Sequence, residues 1–526
     1  MRMQALLGLL LLLVGAGTIA IFVVGTQLCS LAPSAEDAWK YVEEKGVRIA
    51  DHTEVFQKFN VTKYEGSKTC LKCHEKEVRD LVHSYHYRLI NQVDDVAGKG
   101  VTWAGSRTLY NDFCGAIFWN GNVSVNFIGK AVLKKTPPGK EELKGKLIAT
   151  GCSMCHGVSL GKIPSVTPTK EDLENVDCLV CHSNYYKGGA IGVKKGMKVV
   201  VKTEKGWRYV PNIPIEKAAK IVAKPSKDAC LACHAFAGGG PHFKRPNLSP
   251  DLMGTVSVHF DVHMARGLHC VDCHKFEDHK VGTKAVGTWS REAEAVACTD
   301  CHKERHRAPI VGFIIENFHH KVACQTCHIP YIAHGQYPID VERDWRHIEF
   351  NEKLGRWEPK LVLKKNVKPA YLWWNGKERK AYLYPDPVNG NEIVYAAPVG
   401  SEEDGKIYPF REHVAYVPFD EQKRIPIPIK VGVVFALGDV NKAVQMGAQV
   451  ANLTFTGKFI KMVRYMNVDH GVVPVSESLK CVDCHSPWSR LPLEELGYWY
   501  PPIIYYGSPV VALIGLALLV LSLRKK

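Results

Sequence analysis

Eight copies of one short motif constrain this chain more than any other feature of its sequence. Each copy is Cys-x-x-Cys-His, and the 526 residues include 18 cysteines and 23 histidines. Random placement of those residues would produce about 0.03 copies of this attachment signature of c-type haem. Thiolates at positions i and i+3 can bond both vinyl groups of one porphyrin, and the adjacent histidine reaches the iron as proximal ligand. The sequence therefore predicts eight covalently attached haem c groups.

The motifs are spread along most of the chain. They comprise Cys70, Cys73 and His74; Cys152, Cys155 and His156; Cys178, Cys181 and His182; Cys230, Cys233 and His234; Cys270, Cys273 and His274; Cys298, Cys301 and His302; Cys324, Cys327 and His328; and Cys481, Cys484 and His485. Zinc ribbons and disulfides are the alternatives, but neither needs a histidine directly after every cysteine pair. The repeated histidine therefore favours haem.

The basic net charge of the chain is explained mostly by its cofactors. The formal charge is +15. Eight haems carry about sixteen propionate charges, and each ferric bis-imidazole centre adds about one positive charge. The oxidised holoprotein would then carry a charge of only about +7. The basic excess gives no reason to assign a nucleic-acid partner.

Both ends of the chain contain long uncharged stretches. Residues 5–25 follow Arg2 without a charge, and residues 498–523 precede a basic Arg524-Lys525-Lys526 terminus. A spanning helix needs about 20 apolar residues, whereas the apolar part of a signal peptide is usually shorter. We expect a C-terminal transmembrane helix, and an N-terminal membrane anchor or a long signal peptide. Because basic residues favour the cytoplasmic side, the predicted location is the cell membrane, with both termini cytoplasmic and the haem region periplasmic or extracellular.

The spacing of the motifs predicts an irregular, mainly α multihaem fold organised around eight haems. The predicted divisions are an anchor or signal (residues 1–28), a seven-haem region (29–336), a haem-free insert (337–479), an eighth-haem segment (480–497) and a C-terminal transmembrane helix (498–526). The insert has no cysteine and contains alternating apolar stretches separated by Pro- and Gly-rich turns. We expect short strands there, followed by helices near residues 441–451 and 459–466.

The remaining fifteen histidines are candidates for the sixth coordination position of each iron. A haem with two histidine ligands only passes electrons, whereas a catalytic haem needs an exchangeable position. The candidates are His83 or His86, His242, His263, His279, His306, His319 or His320, and His470. His259, His269, His334 and His413 are possible substitutes, and His52 and His347 are interpreted as surface residues.

Motifs outside the haem sites give the chain a family resemblance. They include His83-Ser-Tyr-His86, Asn111-Asp-Phe-Cys114, Lys224-Pro225, Gly238-Gly-Gly240, Asp261-Val-His263-Met264, Trp373-Trp-Asn-Gly376, Ile407-Tyr-Pro-Phe410 and His470-Gly-Val-Val-Pro474. Over roughly residues 69–498, the chain resembles the octahaem tetrathionate reductase family of multihaem cytochromes c. That family is related to hydroxylamine oxidoreductases and pentahaem nitrite reductases.

The resemblance implies that the second haem, held by His156, is the catalytic one. In the family a lysine nitrogen replaces its distal histidine, and this role is carried to Lys224, with Lys227 as the nearby rival. Burial beside a cation lowers the pKa of a lysine and favours the neutral form that binds iron. The family also keeps a free cysteine near this haem, which corresponds to Cys114. Asn111 and Asp112 are candidates for positioning substrate or supplying protons.

Three functions are consistent with these features. The first is a reductase that takes electrons from the membrane quinol pool or a membrane cytochrome and passes them to tetrathionate, nitrite or hydroxylamine. The second is a non-catalytic conduit to an external redox protein. The third is hydroxylamine oxidation, which is disfavoured because no signature of a tyrosine–haem cross-link is found. The small inorganic acceptor of the first function is expected to be an anion, since positively charged irons and lysines would surround it.

Overall fold

The structure is a computed structural model of the chain. It describes residues 49–117, 131–132, 147–148, 158–159, 164–182, 190–191, 197–203, 206–213, 219–303, 305–352, 355–498, 507, 509–517 and 520. The second haem motif and the predicted N-terminal anchor or signal (residues 1–28) lie outside these residues.

Short helices carry the haem motifs that the structure describes. The helices are α1 Thr53–Lys58, α2 Ser67–Cys70, α3 Glu75–Val82, α4 Tyr85–Arg88, α5 Lys170–Leu173, α6 Leu179–His182, α7 Lys227–His234, α8 Val262–Ala265, α9 Cys270–Cys273, α10 Cys298–Cys301, α11 Pro309–Phe318, α12 Cys324–His328, α13 Val431–Leu437, α14 Val440–Ala451 and α15 Cys481–Cys484. Within the described residues, 3₁₀ turns occupy Pro250–Leu252 and Val475–Glu477.

An aspartate fixes the start of three motif helices. The carboxylates of Asp272, Asp300 and Asp483 accept hydrogen bonds of 2.7, 2.9 and 2.7 Å from the backbone N–H three residues earlier, at the start of α9, α10 and α15. A carboxylate at this position satisfies a backbone donor that has no partner within the helix and interacts favourably with the helix dipole. The residue before the second cysteine therefore helps to orient both thiols.

Small two- and three-stranded ladders connect the motif helices. Their strands are β1 Ile49–Asp51, β2 Ile90–Val93, β3 Thr102–Gly105, β4 Tyr110–Asn111, β5 Ala116–Ile117, β6 Ala131–Val132, β7 Leu147–Ile148, β8 Ala190–Ile191, β9 Met197–Thr203, β10 Gly206–Ile213, β11 Ile221–Ala223, β12 Phe276–Glu277 and β13 Lys280–Val281. The β1–β11 pair joins the start of the described chain to the segment before the fourth motif.

Residues 339–467, here called the sheet region, contain an eight-stranded sheet. Its strands are β14 Ile339–Asn351, β15 Arg356–Lys364, β16 Ala370–Trp374, β17 Arg379–Ala381, β18 Glu392–Pro398, β19 Lys406–Asp420, β20 Ile425–Pro426 and β21 Phe459–Asn467. The order is β15-β14-β19-β21-β18-β17, and β16 and β20 both pair with β19. The central β19 pairs parallel with β14 and antiparallel with β21. Trp345, Phe410 and Met462 are completely buried in the main hydrophobic core.

The predicted fold class is wrong because this large sheet makes the fold mixed rather than mainly α. The helix expected near residues 441–451 is confirmed as α14. The helix expected near residues 459–466 is instead the strand β21. Pairing with β19 and β18 on its two sides gives β21 backbone partners that local sequence does not reveal.

The prediction of membrane-spanning helices and a membrane location is also contradicted. Crossing a bilayer takes about 20 consecutive apolar helical residues. Within the described part of the chain, no helix combines the length and apolar character that a membrane span requires.

Candidate functional site

Every motif histidine that the structure describes faces a second histidine from outside the motifs. The pairs, with the distance between ring centroids, are His74–His52 at 6.1 Å, His182–His279 at 6.3 Å, His234–His86 at 6.2 Å, His274–His470 at 6.1 Å, His302–His263 at 6.0 Å, His328–His306 at 6.3 Å and His485–His319 at 5.7 Å. Seven such pairs with one common spacing indicate seven sites of the same kind.

The spacing fits one metal ion between the two rings of each pair. Two imidazoles bound to opposite sides of a metal, with bonds of about 2 Å, have ring centroids about 6 Å apart. In one pair the Nε2 atoms of His319 and His485 both point into the space between the rings and lie 3.4 Å apart, somewhat closer than two such bonds would set them. Among the described residues, no three His, Cys, Asp or Glu side chains form a cluster that could hold a metal. The histidines thus fit the two axial positions of a porphyrin iron, rather than a four-ligand zinc site.

Hydrogen bonds and burial prepare several of these histidines to act as ligands. Nδ1 of His274 donates to the carbonyl oxygen of Gly282 at 2.9 Å, which leaves Nε2 available for a metal. Burial, with neighbouring histidines as a second cause, lowers the pKa of His234 to about 3 and the pKa values of His328 and His470 to about 4. These rings are therefore neutral at pH 7, which is the form that binds iron.

The motif cysteines contact one another in an order that links neighbouring motifs. Cys70 contacts Cys178, Cys230 contacts Cys270, and Cys298 contacts Cys324. Longer-range electrostatic interactions join Cys181 with Cys230, Cys273 with Cys301, and Cys327 with Cys484. The described motifs thus form one continuous series: first, third, fourth, fifth, sixth, seventh and eighth.

One cavity of about 3400 Å³ runs past motif residues of the first motif and of the third to seventh motifs. Pockets for single small molecules are usually about 300–1,000 Å³. The walls include motif cysteines and histidines, together with Asn111, Phe113, Cys114 and Lys224. Its size and walls suit several porphyrins in a row, and they place the non-motif cysteine Cys114 beside the same space.

A buried group of charged side chains lies behind the cavity wall at Phe113. His413 Nδ1 donates to Asp112 at 2.7 Å, and its Nε2 is 3.6 Å from Asp340. Arg464 forms an ion pair with Asp112, and Arg343 forms one with Asp340 at 2.7 Å. All five side chains are nearly or completely buried.

These ion pairs keep both buried carboxylates charged. Burial raises the pKa of Asp112, but Arg464 and the hydrogen bond from His413 outweigh burial and hold that pKa far below its usual range. The pKa of Asp340 is likewise lowered, because Arg343 and His413 outweigh burial. The group connects β14, β19 and β21 of the sheet region to the segment that carries Cys114.

Comparisons with known proteins agree with this geometry. The family model described as "Cytochrome c bacterial" matches residues 334–487, and "Cytochrome c7 and related cytochrome c" matches residues 256–329. An uncharacterized protein from Archaeoglobus fulgidus is 47% identical over 274 residues, which cover 51% of this chain and 92% of that protein. The crystal structure of octaheme cytochrome c from Shewanella oneidensis is similar, with a TM-score of 0.62 and 25% identity, over 84% of this chain and 95% of that chain.

The chain belongs to the multihaem cytochromes c. This cytochrome therefore binds haem c covalently and takes part in electron transfer.

The structure brings some of the predicted site residues of the cytochrome together. Asn111 and Cys114 both line the cavity, while Asp112 is completely buried behind it. Lys224 also lines the cavity, with an exposed side chain. The rival Lys227 is engaged elsewhere, since its Nζ donates to the carbonyl oxygen of Leu252 at 3.1 Å. Cys152, Cys155 and His156, the expected holders of the catalytic haem, lie outside the described residues.

The predicted distal histidines divide into two groups. His86, His263, His279, His306, His319 and His470 each face a motif histidine. His83 and His320 instead donate from Nδ1 to nearby backbone carbonyls, and Nε2 of the buried His242 hydrogen-bonds to the carbonyl oxygen of Tyr337 at 2.9 Å. None of these three has a motif histidine opposite it among the described residues.

Sequence reasoning missed two features of the cytochrome. His52 faces His74, although it was interpreted as a surface residue. Its only sequence signal is its position shortly before the first motif. The ion-paired group around His413 was also missed, because its members come from strands that are distant in sequence and meet only in the folded sheet.

Proposed function

We propose that this cytochrome is an octahaem reductase in which seven haems carry electrons to one catalytic haem, the haem of the second motif. The seven histidine pairs would hold the seven electron-carrying haems, and His156 would hold the catalytic haem. The small acceptor is an oxidised sulfur or nitrogen compound, with tetrathionate, nitrite and hydroxylamine as the candidates. Bound haem supplies reversible one-electron transfer at its iron, and the protein supplies the ligands, spacing and surroundings.

The order of the motif contacts supports a single electron path. Contacts and longer-range electrostatic interactions between cysteines join the described motifs in series, from the first through the third to the eighth. Because each porphyrin is attached through these cysteines, neighbouring motifs hold neighbouring haems. The protein's part in transfer is then to fix these distances and to keep water away from the porphyrin edges.

We infer that Lys224 supplies the distal nitrogen at the catalytic haem. The proposal comes from the resemblance of Lys224-Pro225 to the family, and it is supported by the position of Lys224 on the cavity wall. Among the described residues, the buried histidines outside the pairs are His242 and His413, which are hydrogen-bonded to Tyr337 and Asp112 and so are engaged elsewhere. A lysine nitrogen is a weaker ligand than histidine, so substrate can displace it more readily.

The single observation that carries the catalytic proposal is a thiol outside the attachment motifs on the wall of the haem cavity. Cys114 lines the cavity next to Asn111 and Phe113. Its thiolate is suited to holding a sulfur compound, because thiolates react reversibly at sulfur–sulfur bonds. The amide of Asn111 is suited to orienting oxygen atoms of a substrate by hydrogen bonding. Asp112 is buried and fully paired, so we assign it a positioning role beneath Cys114.

A second function, an electron conduit without catalysis, is favoured by the seven histidine pairs themselves. Each pair can fill both axial positions of an iron, and such a haem only passes electrons. In that case the acceptor would be an external redox protein.

Oxidation of reduced viologen by the purified holoprotein separates the two functions. Tetrathionate, nitrite and hydroxylamine are offered separately, to the wild type and to Lys224→His. A reductase turns over at least one acceptor, and Lys224→His loses that turnover while its haem content is unchanged. Lys227→His is the matched control and keeps the activity. Absence of turnover with all three acceptors, in protein carrying all eight haems, would overturn the reductase proposal in favour of the conduit.

A further inference from the structure

The helix α11, Pro309–Phe318, has an inner side that the fold holds in place. Val311 and Gly312 are buried there and line the haem cavity. A Cβ atom at Gly312 would lie 1.6 Å from the carbonyl oxygen of His306, so the helix packs directly on the backbone at this point. The helix begins three residues after His306 and ends directly before His319, the histidines that face the seventh and eighth motifs. It therefore joins the last two haem sites of the series.

The opposite side of α11 is apolar and exposed to solvent. Ile310, Phe313 and Phe318, here called the outer face, are 62, 61 and 70% exposed, and the two phenylalanine rings meet edge to face with centroids 6.3 Å apart. The single charged side chain of the helix, Glu316, is paired with Arg305 at 2.9 Å. A helix that is apolar on all sides is normally buried. The outer face therefore indicates contact with another molecule.

The two ends of α11 are flanked by opposite charges. Three exposed basic residues precede the helix and are here called the basic flank: Lys303, Arg305 and Arg307. Three exposed acidic residues lie near its C-terminal end and are here called the acidic flank: Glu402, Glu403 and Asp404. The amine of Lys321 donates to the carbonyl oxygen of Glu403 at 3.1 Å, which holds the acidic flank beside the residues that follow the helix. An apolar centre between a basic and an acidic end is complementary to a copy of itself related by a twofold axis.

We propose that the outer face binds the outer face of a second copy of this chain, with the two α11 helices packed antiparallel across a twofold axis. The basic flank of each copy then meets the acidic flank of the other, whereas parallel helices would bring like charges together. The outer faces form the apolar centre of the interface, and the flanks form its polar rim.

The expected size of this interface agrees with that division. The three outer-face side chains would contribute roughly 350 Å² of apolar surface per copy. A standard interface buries ~800 Å² on each partner. The apolar centre is therefore too small to hold a dimer by itself, and the charged flanks have to complete it.

The dimer goes beyond the proposed function, and it applies equally to a reductase and to a conduit. The eighth motif is one end of the series of motifs, and its facing histidine, His319, directly follows Phe318 of the outer face. Helices packed against each other lie about 8–10 Å apart. The interface would therefore bring the ends of the two series together, where one copy can pass electrons to the other.

Sedimentation velocity of the purified holoprotein tests the interface. We expect the wild type to be a dimer at micromolar concentration. Phe313→Asp places a carboxylate from each copy in the apolar centre and should raise the dimer Kd about hundredfold or more. Phe350→Asp, at an exposed phenylalanine of the sheet region, is the matched control and should leave the Kd unchanged. Haem content and circular dichroism should be the same for all three proteins.

Charge reversal tests the antiparallel arrangement. One variant reverses the basic flank by Lys303→Glu with Arg307→Glu, and the other reverses the acidic flank by Glu402→Lys with Glu403→Lys. Each variant alone brings like charges together and should raise the Kd about tenfold or more. An equimolar mixture of the two should again sediment as a dimer, because each reversed flank then meets a flank of opposite charge.

Three results would overturn the proposal. A wild type that stays monomeric at micromolar concentration would leave the outer face to a different protein, such as a redox partner. A dimer that survives Phe313→Asp would have its interface elsewhere. A mixture of the two charge-reversed variants that stays monomeric would exclude the antiparallel arrangement. If Phe313→Asp does not yield folded holoprotein, Ile310→Asp makes the same comparison farther from His319.

Discussion

The haem-motif region, residues 52–328, and the sheet region, residues 339–467, form their interiors in different ways. In the first, motif helices such as α9 and α10 are four residues long and bury none of their side chains, and they surround a cavity of about 3400 Å³. In the second, long strands pack Trp345, Phe410 and Met462 into one continuous apolar core. The comparison teaches that cofactors would fill much of the interior of the first region, which has only small apolar clusters of its own. The polypeptide fills the interior of the second region, and Tyr110 and Trp289 from the first region join that core.

Removal of haem should produce the largest difference between the two regions, measured as the protection of their amide hydrogens from exchange. Isolated helices of four to eight residues are unstable, so the motif helices of protein produced without haem attachment should exchange their amide hydrogens almost as fast as an unfolded chain. The amides of β19 and β21 should keep most of their protection, because each strand pairs on both sides. Hydrogen exchange followed by mass spectrometry measures both regions together. Equal loss of protection in β19 and β21 would contradict the comparison.

The next largest effect, a loss of unfolding free energy, should come from a substitution at the boundary between the two regions. Asp112→Asn removes the carboxylate that pairs with the buried Arg464 and His413. Leaving a buried charge without its partner costs about 3–5 kcal/mol of unfolding free energy. Denaturant unfolding followed by far-ultraviolet circular dichroism measures this loss at pH 7. Asp386→Asn, at a half-exposed ion pair with Lys99, is the control and should change stability little.

The same variant also tests how the stability contribution of Asp112 depends on pH. The pKa of Asp112 is lowered in the folded protein, so its carboxylate adds stability above the unfolded-state pKa of about 4 and loses that contribution as the pH falls further. The difference between wild type and Asp112→Asn should therefore be full at pH 7 and should shrink below about pH 4. A difference that stays constant from pH 7 to pH 3 would mean that the carboxylate charge is not the cause.

Within the sheet region, a core substitution should lower the free energy of unfolding without changing the haem content. Phe410 is completely buried, and Phe410→Ala should cost about 3–5 kcal/mol of unfolding free energy. Phe350→Ala, on the same sheet but 51% exposed, should cost less than about 1 kcal/mol. Haem content and the visible spectrum should be unchanged in both. Loss of haem from Phe410→Ala would show that the sheet supports the haem-motif region more directly than we infer.

Replacing a paired histidine in the haem-motif region should affect stability least among these variants, but it should change the electron paramagnetic resonance spectrum strongly. His86 faces His234, whereas His83, three residues earlier, hydrogen-bonds to the carbonyl oxygen of Arg79. His86→Ala should convert one low-spin haem to high-spin, and His83→Ala should leave the spectrum unchanged. Electron paramagnetic resonance of the oxidised proteins measures both. A high-spin signal from His83→Ala alone would reverse the assignment.

The sequence predicts local features of this fold better than its long-range pairing. The attachment motifs and the helix α14 can be found from residue spacing within a short window. The sequence predicts short strands in this region, but not their assembly into one large sheet. The central strand β19 contains Pro409, Arg411 and His413, which are not typical of the middle of a sheet. Its strands pair with partners far along the chain, including the parallel partner β14.

The candidate site was likewise predicted only in part from the sequence. Cys114 and Lys224 were found by resemblance, and both line the cavity. His52 was misjudged because a distal ligand is determined by which residue the fold places opposite a motif histidine, and not by its distance along the chain.

Near-infrared magnetic circular dichroism of the fully oxidised holoprotein tests the central claim most directly, since it separates bis-histidine from histidine–lysine ligation. The seven histidine pairs and the proposed role of Lys224 predict seven haems of the first kind and one of the second. The single different haem should alone respond to added nitrite. Fewer than seven bis-histidine haems would contradict the pairing in the structure, and eight identical ones that ignore nitrite would contradict the catalytic haem.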